Sequence, residues 1–276
     1  MKKSGLRLDM YRESFLRRRL ELRMRTLGFR NLSEYFCYLR SNEGEIAELI
    51  NAIAINVTEF MRDVTPFRFF MEKILPEISE KRVLRFWSAG CAYGEEAYSI
   101  AICSLEATEC NFTVYATDID DECLKRALMG IYSESQLRNL SEEMKRKYFE
   151  RIGNKLKVKD FVKKHVRFRK HDLTSQEPVT RFLDAIFCRN VLIYFTEEQK
   201  TKVIRDFYEA LVDGGYLIVG KSETIPKLGF DCISLSEKIY KRKPRHPDCP
   251  TDDRCNSEQM RGTSRLSGWG GGQKKR

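Results

Sequence analysis

From Arg82 onward, short runs rich in β-branched and aromatic residues alternate with helical stretches. VLRFWS precedes a helix from about Gly94, FTVYAT precedes one near 121–129, VRFRK follows, DAIFC precedes another helix, and YLIVG and KIYKRK close the series. Strands that alternate with helices need crossover connections, and crossovers build a parallel sheet covered by helices. An α/β fold is therefore predicted for this part of the chain. The helix after DAIFC is punctuated by Thr196 and Gln199, which form a T-x-x-Q capping box, and by Gly214-Gly215, which closes its far end. Residues 148–160, YFERIGNKLKVKD, carry two alternating runs around Gly153-Asn154, the signature of a two-residue hairpin turn. A small β-insertion before the third strand is expected there.

Ahead of the sheet, residues 6–75 read as helical, with Leu8, Tyr11, Phe15, Leu16, Leu20 and Leu27 at spacings near three and four and arginines between them. After Pro244 the chain is polar and glycine-rich and lacks the apolar surface needed to order itself. The expected organisation is a small all-helical domain over 1–75, an α/β domain over 76–243 with its hairpin at about 148–160, and a disordered tail over 244–276.

The formal charge of +10 invites a nucleic-acid reading, but its distribution does not support one. Residues 1–30 hold ten Lys or Arg against three acids, residues 241–276 hold ten against four, and the 210 residues between carry thirty against thirty-three. The nine cysteines form no CxxC pair and no regular framework, so neither a disulfide scaffold nor a zinc site is expected. No run approaches a membrane span and the N-terminus lacks an apolar signal segment, which predicts a cytoplasmic protein with no direct membrane insertion.

The first strand runs into S-A-G-C-A-Y-G-E-E, residues 88–96. A glycine turn holding Gly90 and Gly94 brings backbone N–H groups and a helix N-terminus to the sheet's C-terminal edge, where open α/β sheets bind ligands. Glu95 and Glu96 fall where a pyrophosphate would otherwise sit, so the spacing favours a cationic ligand over a phosphate. S-adenosylmethionine fits, since its sulfonium and amino groups are positive and its adenosine carries no phosphate. Asp118, at the end of the second strand and 24 residues beyond Gly94, is placed to accept from ribose hydroxyls. The third strand ends in His171-Asp172-Leu173, suited to an adenine amino group and ring, and the fourth in Cys188-Arg189-Asn190-Val191 beside the same crevice.

With N-V-T-E-F-M-R-D at 56–63, A-T-D-I-D at 116–120, G-I-Y at 130–132, D-A-I-F-C-R-N-V-L-I-Y-F at 184–195 and G-G-Y-L-I-V-G-K-S-E at 214–223, the chain resembles chemotaxis protein methyltransferases of the CheR type over about residues 5–243. The resemblance implies a Rossmann-like methyltransferase domain behind a helical one. It implies methyl transfer from S-adenosylmethionine, leaving S-adenosylhomocysteine, to glutamates on the signalling helices of chemoreceptors. It also implies cofactor contacts by Asn56, Thr58 and Arg62 from the joining segment, and by Glu96, Asp118, Asp172, Leu173, Asn190 and Val191 from the sheet edge. Asp172 departs from the family, whose members often have Asn there, and Met61 replaces a common Phe.

A glutamate acceptor, with a pKa near ~4.3, is ionised at neutral pH and needs no general base. Arg62 is expected to orient a carboxylate and Tyr194 to line the slot around the methyl group. The arginines of the first helix, Arg17, Arg18 and Arg19 among them, would attract the acidic receptor helices, and the 148–160 hairpin resembles the region where some members hold a receptor's C-terminal peptide. A monomer is expected, and no nucleic-acid partner, since the fourth strand is followed by C-R-N-V-L-I-Y-F and lacks the D/N-P-P-Y/F turn of amino-directed base methyltransferases. A non-catalytic module that binds the same cofactor is the rival from another class.

Overall fold

The computed structural model describes residues 8–53, 58–80, 83–175 and 179–244. The tail beyond residue 244 and Asn56 lie outside the described residues. The chain opens with a 3-10 turn (Leu8–Met10), then α1 (Glu13–Thr26), α2 (Leu32–Ser41, capped by the Asn31 side chain) and α3 (Glu43–Ile53). These helices share a core of Met24, Tyr35, Leu39, Leu49 and Ile53. Inside it, Arg23 makes a two-armed ion pair with buried Glu45 at 2.9 and 2.7 Å, and Tyr35 donates to the same carboxylate at 2.8 Å. Tyr11 departs from the helical pattern. It forms an antiparallel bridge with Phe195, flanked by hydrogen bonds from Arg12 N to Tyr194 O (2.9 Å) and from Thr196 N to Met10 O (3.0 Å).

Next come α4 (Thr65–Phe69), a π-helical turn (Phe70–Ile74) and α5 (Leu75–Ile78). Pro76 has no N–H to donate one turn back and its ring crowds the preceding carbonyls, so the helix widens just ahead of it. Residues 65–75, placed by the sequence at the end of the helical domain, pack with the sheet. Phe67, Phe70, Ile74, Leu75 and Ile78 belong to the core of the sheet, with Phe70 edge-on to Phe86 (5.3 Å) and Phe187 (5.1 Å). Burial of such rings stabilises by roughly 1.5–3 kcal/mol each, so this segment is part of the α/β layer.

The large sheet holds β1 (Val83–Ala89), β2 (Asn111–Asp118), β6 (Val166–Lys170), β7 (Leu183–Cys188), β8 (Leu211–Val219), β9 (Phe230–Ser234) and β10 (Ile239–Arg242) in the order β6-β2-β1-β7-β8-β10-β9. The first five of that order pair in parallel, and β10 pairs antiparallel with β8 and β9. Strand order reverses between β1 and β7, so the loops leaving their C-terminal ends diverge and open a crevice. On one face lie α6 (Glu95–Ala107) and the 65–78 helices; on the other α10 (Glu197–Ala210) buries Phe207 against Trp87 at 5.2 Å. Between β2 and β6 run α7 (Asp121–Met129), the short strand β3 (Ile131–Ser133), α8 (Glu142–Tyr148), β4 (Phe149–Ile152), β5 (Lys155–Val158) and α9 (Asp160–Lys163). The expected hairpin is β4–β5, turned by Gly153 at φ +59°, and β3 completes a three-stranded antiparallel sheet.

Two local expectations are corrected. The Thr196 side chain caps α10 by accepting from Gln199 N at 3.2 Å, but the buried Gln199 side chain does not reach back, so only half of the capping box forms. Gly214-Gly215 does not end the helix. α10 stops at Ala210 because Leu211 is already paired with Leu183, and Gly214 at φ +75° lies within β8. Among the described residues, no helix is long and apolar enough to cross a membrane.

Candidate active site

The crevice at the C-terminal ends of β1, β2, β6 and β7 has a volume of about 200 Å³. Thr58, Arg62, Gly90, Glu96, Asp118, Asp172, Leu173, Asn190, Val191 and Tyr194, all singled out from the sequence, line it together.

The glycine loop is built so that its N–H groups are used internally. Gly90 N and Cys91 N both donate to Thr117 O (2.8 and 2.9 Å), Ala92 N donates to Asp118 Oδ2 (2.8 Å), and Gly94 N donates to Cys91 O (2.9 Å). A phosphate would find these donors already engaged. Of the two acids at the start of α6, only Glu96 lines the crevice. Glu95 is fully buried away from the crevice, its Oε1 accepting from Gln136 Nε2 at 2.6 Å, and burial pushes its carboxyl up to about 7. Glu96, one helical step on, faces the opening. It accepts from Ser88 Oγ at 2.7 Å and stands 3.8 Å from Arg189; burial raises its pKa, while Arg189, Ser88 and Arg62 pull it back.

The D-I-D-D run divides its labour. Asp118 ties the loop through Ala92 N and accepts from Asp120 N at 3.0 Å, while Asp120 caps α7 by accepting from Glu122 N and Cys123 N at 2.8 and 3.2 Å. Burial raises the Asp118 pKa against these N–H donors. Asp172 accepts from Thr174 N at 2.8 Å, which fixes the turn that presents Leu173. Asn190 sits at φ +62°, a left-handed conformation that Asn tolerates, and its Oδ1 is buried with no partner among the described residues. That turn is held by Glu223, which accepts from Asn190 N (2.9 Å), Gly220 N (2.5 Å) and Ile193 N (3.3 Å).

Sequence reasoning missed Tyr11, Arg189 and Glu223. Tyr11 reaches the crevice only through its tertiary bridge to Phe195, which no local pattern reveals. Arg189 and Glu223 lay within the motifs, and for Arg189 the signal available was a charged residue directly after the apolar run of β7. Arg19, expected on a solvent row, is turned inward, its Nε donating to Ala52 O at 2.6 Å at the end of α3.

These residues fit S-adenosylmethionine. Carboxylates of Glu96 and Asp118 suit a cationic ligand, the engaged loop donors disfavour a phosphate, and the orphaned Asn190 Oδ1 awaits a donor. Gly90 bears on the same fit, since it stands at φ +82° and an added Cβ would come 2.5 Å from Val191 Cγ2. Gly90→Ala is expected to cost about 1–3 kcal/mol of stability through backbone strain and to weaken S-adenosylhomocysteine binding at least roughly tenfold. Calorimetry that found wild-type affinity would show that the loop does not shape the crevice.

Two family models match the chain: CheR methyltransferase, all-alpha domain, over residues 1–54, and CheR methyltransferase, SAM binding domain, over residues 56–239. A chemotaxis protein methyltransferase of Borreliella burgdorferi is 37% identical over 236 residues, spanning 80% of this chain and 83% of its own. That of Listeria monocytogenes is 35% identical over 224 residues (80% and 85%), and that of Vibrio parahaemolyticus is 38% identical over 216 residues (74% and 78%). The chain belongs to the CheR methyltransferase family and is an S-adenosylmethionine-dependent methyltransferase of the chemotaxis type, an all-α domain joined to a cofactor-binding domain.

Proposed function

We propose that this enzyme converts glutamate side chains of chemoreceptor signalling helices into methyl esters. The observation that carries the reading is that Arg62 and Tyr194 line the same opening as the cofactor-side carboxylates Glu96 and Asp118. The bound cofactor supplies a methyl group on a sulfonium, ready for in-line displacement. Glu96 would hold its ammonium and Asp118 its ribose hydroxyls; Asp172, Leu173, Asn190 and Val191 would surround the adenine, with Gly90 allowing close backbone approach. Thr58 and Arg62 close the site from the joining segment. Arg62 then meets the acceptor carboxylate, strips part of its water and aims one oxygen at the methyl, while Tyr194 walls the slot. Positioning of this kind supplies up to roughly 7–11 kcal/mol, and an ionised carboxylate asks for nothing further. Among the described residues His171 is the histidine lining the crevice; its backbone N–H is bonded to Asp118 O at 3.0 Å and its ring is edge-on to Trp87 at 5.6 Å, the place of a strand-end residue.

Arg62→Ala is expected to reduce turnover about 100-fold or more, since a small misplacement of the acceptor has that effect. Incubation with methyl-labelled S-adenosylmethionine and a chemoreceptor cytoplasmic fragment should yield alkali-labile label released as methanol. Stable label on protein, or label transferred to RNA instead, would replace the glutamate reading, and no transfer at all would favour a non-catalytic binding module. In α1, Arg17 and Arg18 are exposed, Arg17 pairing with Glu13 at 2.8 Å, so receptor docking through this face falls to those two and not to Arg19. Reversing both charges should slow methylation most at low salt.

A further inference from the structure

Arg189 is the least expected group in the crevice. Its side chain is 2% exposed, and its guanidinium lies over the Phe67 ring at 5.3 Å. Nη2 donates to Asp63 Oδ2 at 2.7 Å, Nη1 is 3.8 Å from Glu96 Oε2, and buried Nε has no partner among the described residues. Burying a guanidinium costs several kcal/mol unless acids face it, so its retention here calls for a reason.

The two acids it faces belong to the two halves of the site. Asp63 ends a turn in left-handed conformations, Met61 at φ +46° and Asp63 at φ +61°, and this turn carries Arg62. Residues with a Cβ pay strain there, and the strain persists only where neighbours over-determine it. The turn is held by Met61 N to Ser99 Oγ (2.8 Å), Phe60 N to Gln136 O (3.0 Å) and Asn139 Nδ2 to Phe60 O (3.0 Å), with Arg189 gripping its far end. Glu96 is the carboxylate assigned above to the cofactor's ammonium. A planar fork reaching both fixes their separation as a lysine could not.

We propose that Arg189 is the positioning residue of this enzyme, a buried fork that locks the Arg62 turn to Glu96 and keeps Glu96 anionic for the cofactor's ammonium. This rests on the cofactor half of the proposed function. Around Glu96 stand Ser88 and Cys91 at the end of β1, Arg62 and Asp63 from the turn, Cys188 and Arg189 at the end of β7, and Glu223 after β8. Both thiols are held neutral by burial, and Glu223 opposes a second negative charge. Arg189 and Arg62 are the cations in that shell that favour the charged form.

The test is S-adenosylhomocysteine affinity of the full chain by calorimetry between about pH 5.5 and 8.5, a readout that needs no methyl acceptor. This probe's one cation is its ammonium. In Arg189→Met, Glu96 should take up a proton nearer neutrality, so the pH of half-maximal affinity should rise by about one unit or more, as expected for loss of an opposite charge at this distance. Arg189→Lys keeps a cation, so its midpoint should stay near that of wild type while affinity falls severalfold at every pH. Should Arg189→Met alone unfold, the Arg189→Met/Asp63→Asn pair, which orphans no carboxylate at 63, is titrated in its place and read by the same criterion. An unmoved midpoint in the methionine background, or the same fold-loss at each pH, would overturn the assignment. Wild-type binding by Glu96→Gln would instead remove the ammonium contact itself, and the ester assay alone decides the glutamate acceptor.

Discussion

Glu223→Ala is expected to lower stability by about 3–5 kcal/mol and the thermal midpoint by roughly 8–15 °C, the largest loss of any single substitution in the site. The buried carboxylate accepts from the N–H groups of Asn190, Gly220 and Ile193, at 2.9, 2.5 and 3.3 Å. Removing it strands those donors out of reach of water, at about 1–3 kcal/mol for each left unsatisfied. The turn it holds carries Asn190 and Val191 to the crevice, so cofactor affinity should fall with stability. Denaturant unfolding and calorimetry on one preparation check both. A midpoint within about 2 °C of wild type would mean that the turn holds its shape without Glu223.

Glu95→Gln should act in the opposite direction, and only at the alkaline end. Burial pushes the Glu95 carboxyl up to about 7 from an ordinary 4.5. Between those values the folded chain keeps a proton that the unfolded chain has released, so this group's contribution is full below about pH 4.5 and is lost as pH rises through 7. The loss is on the order of 3 kcal/mol by pH 8. Glutamine carries no such charge and can still accept from Gln136. The variant should therefore match wild type near pH 5 and exceed it by roughly 2–3 kcal/mol at pH 8. Urea unfolding at the two pH values decides, and parallel behaviour of the two proteins would show that Glu95 titrates normally. The difference between proteins isolates Glu95, since buried Glu96, Asp118 and Glu223 shift in the same direction in both.

The parts of the fold that local chemistry dictates were readable in advance. The parallel strands announce themselves as apolar runs because both faces of the sheet are covered, and Gly153 and Thr196 mark their turn and cap. β9 escaped notice because Phe230–Ser234 is an edge strand whose central residues are all exposed, which leaves no hydrophobic alternation to read. Helical periodicity says that residues 65–78 have a buried face and not which layer buries it. In the site, Asp118 was legible from its distance to the glycine turn. Glu95 and Glu96 were not separable from composition, although Glu95 stands one turn before buried Ser99 and shares its inward face. Tyr11, Arg189 and Glu223 owe their places to long-range pairing, where sequence proximity carries no information.

The bridge that brings Tyr11 to Phe195 has a consequence for biosynthesis. The flanking Arg12 and Phe195 lie 183 positions apart, their side chain and carbonyl meeting at 3.0 Å. At about 5–20 residues per second a ribosome needs roughly 10–40 s to span that interval, and the Glu223 clasp follows later still. Helices α1 to α3 can therefore assemble early, whereas a nascent chain has no finished pocket until Glu223 has been made. The cofactor meets this polypeptide as a late guest, able to favour the completed fold by mass action but not to template its beginning.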